Sequence, residues 1–237
     1  MPDIISKSIS FDKLIDLHQE SKICLTRLYH DLSKNDWNET IDARIIPVKL
    51  LIEGVDSKLI VLLLLREHYS NSKIWDLFKI DNASDLEKIA NIKLSSILGD
   101  FKSGLFMQLF MQLEHFIRII ASSLNVNSRS INKLTKKIIT ETKIDIEFEN
   151  LIDLITHARN TIHFGGIRTD EDDIVLYKGI EYNFKKGEHT NFFNDYFLHY
   201  LIIEVSKFIE QINSSSKVIS IPEIRHPYSD FTWVLED

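Results

Sequence analysis

The sequence predicts a mainly α-helical bundle with a short β-hairpin inserted before the last long helix. Only 7 of the 237 residues are glycine and 4 are proline, so few positions interrupt a helix. Most of the chain repeats apolar residues with the helical period. Residues 174–184 differ, because they consist of two short runs of β-forming residues around Lys178-Gly179, which is typical of a hairpin.

Three helices are predicted in the first 69 residues. Residues 11–34 have the apolar spacing of an amphipathic helix. Pro47 suits the first turn of a second helix, which we expect to end near Gly54. Residues 57–69 are apolar enough to form a third helix that is deeply buried.

The middle of the chain contains the clearest helical pattern. Residues 75–80 are too few to distinguish a helix from a strand. Ser84-Asp85-Leu86-Glu87 has the form of a capping box, which predicts the start of a short helix. In residues 100–124, apolar side chains spaced at about 100° per residue fall in one arc, which comprises Phe106, Phe110, Leu113, Ile117, Ile120 and Leu124.

Three more helices are predicted around the hairpin. Residues 128–140 form a polar, basic helix, and residues 145–164 form an amphipathic one. Gly165 or Gly166 is a natural C′ residue for the latter. After the hairpin, residues 191–213 return to the helical period.

The helical pattern suggests a division of the chain into three parts. Residues 1–95 form an N-terminal helical region, which could equally be part of one continuous domain. Residues 96–213 form a helical bundle. Residues 214–237 contain two prolines and are predicted to be an irregular tail lying on the bundle.

Composition limits the compartment and the partners of the chain. Residues 59–65 are the longest apolar run, too short for a membrane span, and the N-terminus lacks a signal-peptide pattern. Cys24 is the only cysteine, so no disulfide can form within the chain. We therefore expect a soluble, cytoplasmic protein without membrane contact.

The net charge of −7 argues against a protein that coats nucleic acid. A confined nucleic-acid site stays open, because the charge can be segregated. One basic stretch, which could also be a solvated helix face, contains Arg129, Lys133, Lys136, Lys137 and Lys143.

Functional information is concentrated in Arg159-Asn160-Thr161-Ile162-His163-Phe164, which closes a helical segment before Gly165-Gly166. Residues i and i+4 of a helix lie on one face, so Arg159 and His163 point the same way. A permanent cation beside an imidazole that titrates near neutral pH is a suitable pair for phosphoryl chemistry. An arginine and a histidine in a last helical turn can also simply bind its free carbonyl groups.

Arg159 falls within the apolar arc of its helix, where a charge that cannot be lost needs an anionic partner. Glu114 lies at the edge of the apolar arc of residues 100–124, and Glu204 lies near the centre of the arc of residues 191–213. We therefore expect one or both carboxylates to hold Arg159 and to leave other guanidinium protons for a substrate phosphate.

The motif resembles the HEPN superfamily (higher eukaryotes and prokaryotes nucleotide-binding). Its signature is an arginine, usually followed by a polar residue such as asparagine, and a histidine about one turn later, which Arg159, Asn160 and His163 match. A preceding helix in the family often carries an acidic residue and an arginine, here Glu114 and Arg118. The resemblance covers residues 96–213, and the commonest family spacing between arginine and histidine is longer than in this chain.

The resemblance implies cleavage of RNA without a metal or a cofactor. His163 would act as general base or acid, Arg159 would stabilise charge on the phosphate, and Asn160 would position the site or a water. The products would carry a 2′,3′-cyclic phosphate and a 5′-hydroxyl. The family also implies a homodimer, an antitoxin or another regulatory partner, and a role in phage defence, toxin–antitoxin systems or the stress response.

Two other functions remain open at the level of sequence. The chain could be a non-catalytic HEPN-like module that binds RNA, a nucleotide or a protein. It could also be a helical regulatory or immunity protein in which Arg159 is a structural ion-pair residue.

Other candidate sites are less specific. The histidines show no zinc-binding spacing. The acidic run Asp170-Glu171-Asp172-Asp173 could bind a divalent cation or be a solvated loop. Tyr177, Tyr182 and Phe184 could stack on nucleobases or pack the hairpin onto the helices.

Overall fold

The structure, a computed structural model, describes residues 11–69, 83–190 and 192–226. In these ranges it contains seven helices and one two-stranded antiparallel sheet. The order is α1 (Phe11–Leu32), α2 (Ile46–Tyr69), α3 (Ala83–Ser123), α4 (Ile131–Thr142), α5 (Phe148–His163), β1 (Asp173–Tyr177), β2 (Ile180–Phe184), α6 (Asp195–Ser214) and α7 (Ser216–Ile219). The predicted mainly helical fold, with a hairpin before the last long helix, is confirmed.

The prediction of two helices on either side of Gly54 is wrong, because α2 runs through this glycine without a break. Gly54 faces α3 so closely that a Cβ atom at this position would overlap the side-chain amide of Gln108. That amide donates a hydrogen bond to the carbonyl of Leu50 at 3.0 Å. Gly54 therefore permits a close helix contact and does not end a helix.

The prediction of a short helix from Ser84 and a separate helix from residue 100 is also wrong. Both belong to α3, which has 41 residues and is therefore about 60 Å long at 1.5 Å per residue. The proposed division at residue 95 falls inside this helix. Residues 75–80, for which the sequence does not distinguish a helix from a strand, lie outside the described ranges.

One hydrophobic core joins every helix and the hairpin. Phe106, Leu113 and Ile117 of α3 are fully buried, as their common arc predicts. The same cluster contains Leu25 of α1 and Leu201 of α6. Among the described residues, no helix has the length and apolar character that a bilayer span requires.

The hairpin has the predicted strands and turn. Lys178 and Gly179 both have positive φ angles, +48° and +76°, as a two-residue type I′ turn requires. Tyr177, Tyr182 and Phe184 face the helices and are buried. These aromatic side chains therefore pack the hairpin and are not exposed for base stacking.

A fully buried ion pair fastens the C-terminal segment to the loop before α2. Arg44 donates to both carboxylate oxygens of Asp42, at 2.9 and 2.5 Å, and both side chains are completely inaccessible. Arg44 also donates to the carbonyls of Val218 and Ile221, and its guanidinium lies 3.8 Å from the centre of the Trp37 ring. The first part of the predicted irregular tail thus contains α7 and a strap of residues 220–226.

Backbone hydrogen bonds complete this attachment. The amide of Ala43 donates to the carbonyl of Ile224 at 2.7 Å, and that of His226 donates to the carbonyl of Ile41 at 2.8 Å. The buried pair and these bonds form one unit, which we call the Arg44 clamp (Ile41–Arg44 with residues 218–226).

We predict that Arg44→Met lowers the free energy of unfolding by about 3–5 kcal/mol, because methionine keeps much of the volume but leaves the Asp42 carboxylate buried without its cation. Urea unfolding measures this change. The matched control is Arg118→Ala, which breaks a partly exposed arginine–carboxylate pair and should cost about 1 kcal/mol or less. Equal losses of unfolding free energy in the two variants would show that the buried pair stabilises the fold no more than the partly exposed pair does.

Two buried histidines meet where α1 packs on α6. The rings of His18 and His199 are 4.5 Å apart, and His199 Nδ1 shares a 2.6 Å hydrogen bond with Ser21 Oγ. Burial, followed by the neighbouring His18, lowers the pKa of His199 to about 3. Burial also lowers the pKa of His18. The nearby Asp195 acts to raise this pKa, and Lys58 acts to lower it. Both rings are therefore neutral in the folded protein at neutral pH.

This pair predicts a loss of stability in mild acid. The folded-state pKa of His199 lies below the ordinary value of 6.5, so the unfolded chain binds more protons as the pH falls from 6.5 towards about 3. The free energy of unfolding in urea should therefore be lower at pH 5 than at pH 7.5. His199→Gln, which keeps a polar partner for Ser21, should show a smaller difference between the two pH values. An unchanged difference would contradict the assignment.

Candidate functional site

The motif occupies the point at which α5 leaves the core. Leu151, Ile155 and Ala158 are buried on one face of the helix, Arg159 is half-buried beside them, and His163 is exposed. The helix ends as predicted at a glycine, because Gly165 has a φ of +71°. The amide of Gly166 donates back to the carbonyl of Thr161 at 2.9 Å, which turns the chain against the end of α5.

Arg159 has no carboxylate partner among the described residues. Its guanidinium carbon lies 5.5 Å from the centre of the Phe110 ring, and Nη1 donates to Asn160 Oδ1 at 3.2 Å. Nε is buried and has no hydrogen-bond acceptor. The guanidinium therefore retains capacity to bind an anion.

The expected ion pairs of Arg159 with Glu204 and Glu114 are wrong. Glu204 is buried as predicted, but its carboxylate binds Tyr177 Oη at 2.7 Å, Lys178 Nζ at 2.6 Å and Lys207 Nζ at 2.8 Å. Burial alone raises the pKa of Glu204, yet these three hydrogen bonds outweigh it and hold the pKa below its ordinary value. The hairpin thus supplies one of the two cations that Glu204 binds, and its own helix supplies the other.

Glu114 pairs with Arg118 one turn further along α3, at 2.6 Å. Arg118 also donates to the carbonyl of Arg129 at 3.4 Å, in the loop before α4. No hydrogen bond or ion pair joins Glu114 or Arg118 to the motif. Glu114 and Arg118, which match the acidic residue and the arginine of the family's preceding helix, therefore form a pair of their own on α3.

His163 and the next residue form an exposed pair of rings at the end of α5. The His163 ring contacts the Phe164 ring edge to face, with 5.5 Å between centres and 78° between planes. Phe164 is 54% exposed, which is unusual for an aromatic side chain in the described part of the chain. No hydrogen bond links His163 to Arg159. The exposed imidazole lies beside the exposed Phe164 ring.

The acidic run after the motif is exposed but occupied by partners within the chain. Asp170 pairs with Arg168 at 3.6 Å, and Glu171 pairs with Lys186 at 2.7 Å. Asp172 accepts a hydrogen bond from the amide of Lys186. Among the residues that the structure describes, no group of three or more His, Cys, Asp and Glu could hold a metal ion.

Arg168 and His157 are site residues that the sequence did not indicate. Arg168 is 4% exposed, and its Nη1 donates to His157 Nδ1 at 2.7 Å. His157 Nε2 faces Asp173 Oδ2 at 3.0 Å, so the ring has its proton on Nε2 because arginine can only donate. Burial, and then Arg168, lower the pKa of His157.

This triad, Asp173–His157–Arg168, attaches the loop before the hairpin to α5. Arg168 also donates to the carbonyl of Glu171 at 3.2 and 3.3 Å. Its backbone also forms two hydrogen bonds with the segment after the hairpin. The amide of Arg168 donates to the carbonyl of Glu188, and the amide of Gly187 donates to the carbonyl of Arg168. One buried arginine therefore positions both segments beside the motif.

His189 is a second exposed histidine that the fold brings to the motif. It pairs with Ile167 in an isolated bridge, and its Nδ1 lies 3.2 Å from the position of a Cβ atom on Gly166. His163 and His189 are 26 positions apart, so their proximity is not visible in the sequence. The sequence signal for this contact is the pair Gly165-Gly166, because a glycine can allow another segment to approach the backbone closely as well as end a helix.

Comparison of the chain with family models, curated proteins and solved structures found no match.

We predict that Arg159→Ala changes the free energy of unfolding by about 1 kcal/mol or less, because it leaves no buried carboxylate unpaired and removes the contact with Phe110 and one hydrogen bond to the neighbouring Asn160. Urea unfolding beside Arg44→Met provides the comparison. A loss as large as that of Arg44→Met would show that Arg159 is a structural residue of the core.

Proposed function

We propose that the chain is a HEPN-like, metal-independent endoribonuclease. The observation that carries this proposal is the state of Arg159, which is half-buried, has no carboxylate partner in the described ranges and lies one helical turn from the exposed His163. A structural arginine at such a position would be expected to bind a carboxylate. An arginine that binds a phosphate must keep donors free, and the one side-chain acceptor of Arg159 among the described residues is Asn160 Oδ1.

The proposed chemistry assigns one role to each motif residue. His163 exchanges a proton with the reacting oxygens, because imidazole is the side chain best suited to proton transfer near neutral pH. Arg159 stabilises negative charge on the phosphate as the ribose 2′-hydroxyl attacks it. Asn160 Oδ1 accepts from Arg159 Nη1 and so fixes the orientation of the guanidinium.

The partners follow from the same resemblance. RNA is the proposed substrate, and a homodimer is the proposed assembly. An antitoxin or another regulatory protein is the proposed binding partner, in phage defence, a toxin–antitoxin system or the stress response. Because the protein is acidic overall, we expect RNA contact to be confined to this site.

The alternative is a non-catalytic HEPN-like module that binds RNA, a nucleotide or a protein partner. It is favoured by the contact of the Arg159 guanidinium with the Phe110 ring and by the absence of a hydrogen bond between Arg159 and His163. The short spacing between Arg159 and His163 also favours the binding module, because α5 remains a continuous helix through both residues.

The test is sequencing of RNA ends that carry a 2′,3′-cyclic phosphate, from cells expressing the wild type, His163→Ala or Arg159→Ala. We expect new ends with the wild type only, because loss of one charge-stabilising donor typically costs about 10²–10³ in rate. The matched control is His30→Ala, which removes an exposed histidine of α1 and should leave the ends unchanged.

Two results would contradict the ribonuclease proposal. Identical end profiles from the wild type and a well-folded, equally abundant His163→Ala would favour the binding module. New ends that disappear when metal ions are chelated in a reaction with purified protein would contradict the metal-independent mechanism.

A further inference from the structure

We propose that His189 is the proton donor to the leaving oxygen in this site, with His163 as the base. The inference rests on the proposed ribonuclease function and deepens it, because it completes the acid–base pair within one protomer. The family resemblance assigns no role to any residue of the segment after the hairpin. Position, attachment, accessibility and chemistry support His189.

His189 lies beside the end of the motif. Its Nδ1 is 3.2 Å from the position of a Cβ atom on Gly166, so any other residue there would force the ring to shift. Gly166 also has a φ of +89°, which favours glycine for a second reason. Gly166 follows His163 by three residues and bonds back to Thr161 in α5, so its Cα lies within about 11 Å of that of His163.

The segment that carries His189 is held on both sides. Ile167 and His189 form a backbone bridge, and Arg168 exchanges backbone hydrogen bonds with Glu188 and Gly187 at 3.1 and 2.8 Å. Arg168 is itself fixed by His157 and the carbonyl of Glu171. The two exposed histidines are thereby attached to one framework, as acid–base catalysis requires.

His189 also borders open space. It lines an open groove of about 540 Å³ together with Glu181, Asn183, Lys185, Glu188 and Phe192. The exposed imidazole is therefore accessible to a substrate from this side.

Cleavage of RNA by its own 2′-hydroxyl needs two proton transfers. His163 accepts the proton of the 2′-hydroxyl as O2′ forms a bond to phosphorus. The bond between phosphorus and O5′ breaks, and His189 gives its proton to O5′. The products are a 2′,3′-cyclic phosphate and a 5′-hydroxyl, and the two imidazoles have exchanged protonation states. No oxidant, reductant or metal takes part.

The test compares two short RNA substrates that differ only in the bridging atom at the scissile phosphate, oxygen or 5′-sulfur. A thiolate leaves without a proton donor, so loss of the donor should matter only for the oxygen substrate. We expect His189→Gln to cleave the oxygen substrate about 10²–10⁴-fold more slowly than the wild type. We expect it to cleave the sulfur substrate at close to the wild-type rate, whereas His163→Gln should be slow on both.

The pH dependence gives a second readout. The wild-type rate should pass through a maximum, and His189→Gln should lose the decline on the alkaline side, where a donor is deprotonated. His30→Gln, on α1, should keep the wild-type profile and both wild-type rates. Urea unfolding should show that His189→Gln is as stable as the wild type.

The outcomes separate failure of this inference from failure of the proposed function. An active wild type with a His189→Gln variant equally fast on the oxygen substrate would overturn the inference alone. So would a variant equally slow on both substrates, because that result indicates a positioning role. A wild type that cleaves neither substrate would overturn the ribonuclease proposal and this inference with it.

Discussion

The structure depends first on a charge that has no access to water. Arg44 and Asp42 are both completely buried, so the fold must satisfy every donor and acceptor of the pair. It does so by bringing the carbonyls of Val218 and Ile221 to the guanidinium and the amide of Ile224 to the carboxylate. This demand fixes the position of the C-terminal strap more strictly than apolar contacts would, since hydrogen bonds are directional.

The candidate site shows the opposite use of an arginine. Arg159 lies in the last turns of α5, with its guanidinium over the Phe110 ring and its buried Nε without an acceptor. Arg168 has the structural role nearby, because it binds His157 and forms hydrogen bonds to the segments on either side of the hairpin. In the described part of the chain, Arg168 is thus bound by partners on several sides, whereas Arg159 has no carboxylate partner.

The sequence predicted those features that depend on local periodicity. Helix faces and the Lys178-Gly179 turn follow from side-chain spacing and backbone preference, and they are confirmed. Gly54 was misread because a glycine that ends a helix and one that permits close packing look alike in sequence. The burial of Glu204 was predictable, but its partner Lys178 comes from the hairpin, and helix geometry says nothing about such contacts. His189 was missed for the same reason.

The Arg44 clamp also has a consequence for the order of events during synthesis. Asp42 and Ile224 are 182 positions apart, so the clamp cannot close until that stretch has left the ribosome. At typical translation speeds this takes roughly 10–40 s. During that interval the side chains of Asp42 and Arg44, in the loop before α2, stay hydrated. Residues 218–226 therefore complete the interior of a region that was synthesised well before them.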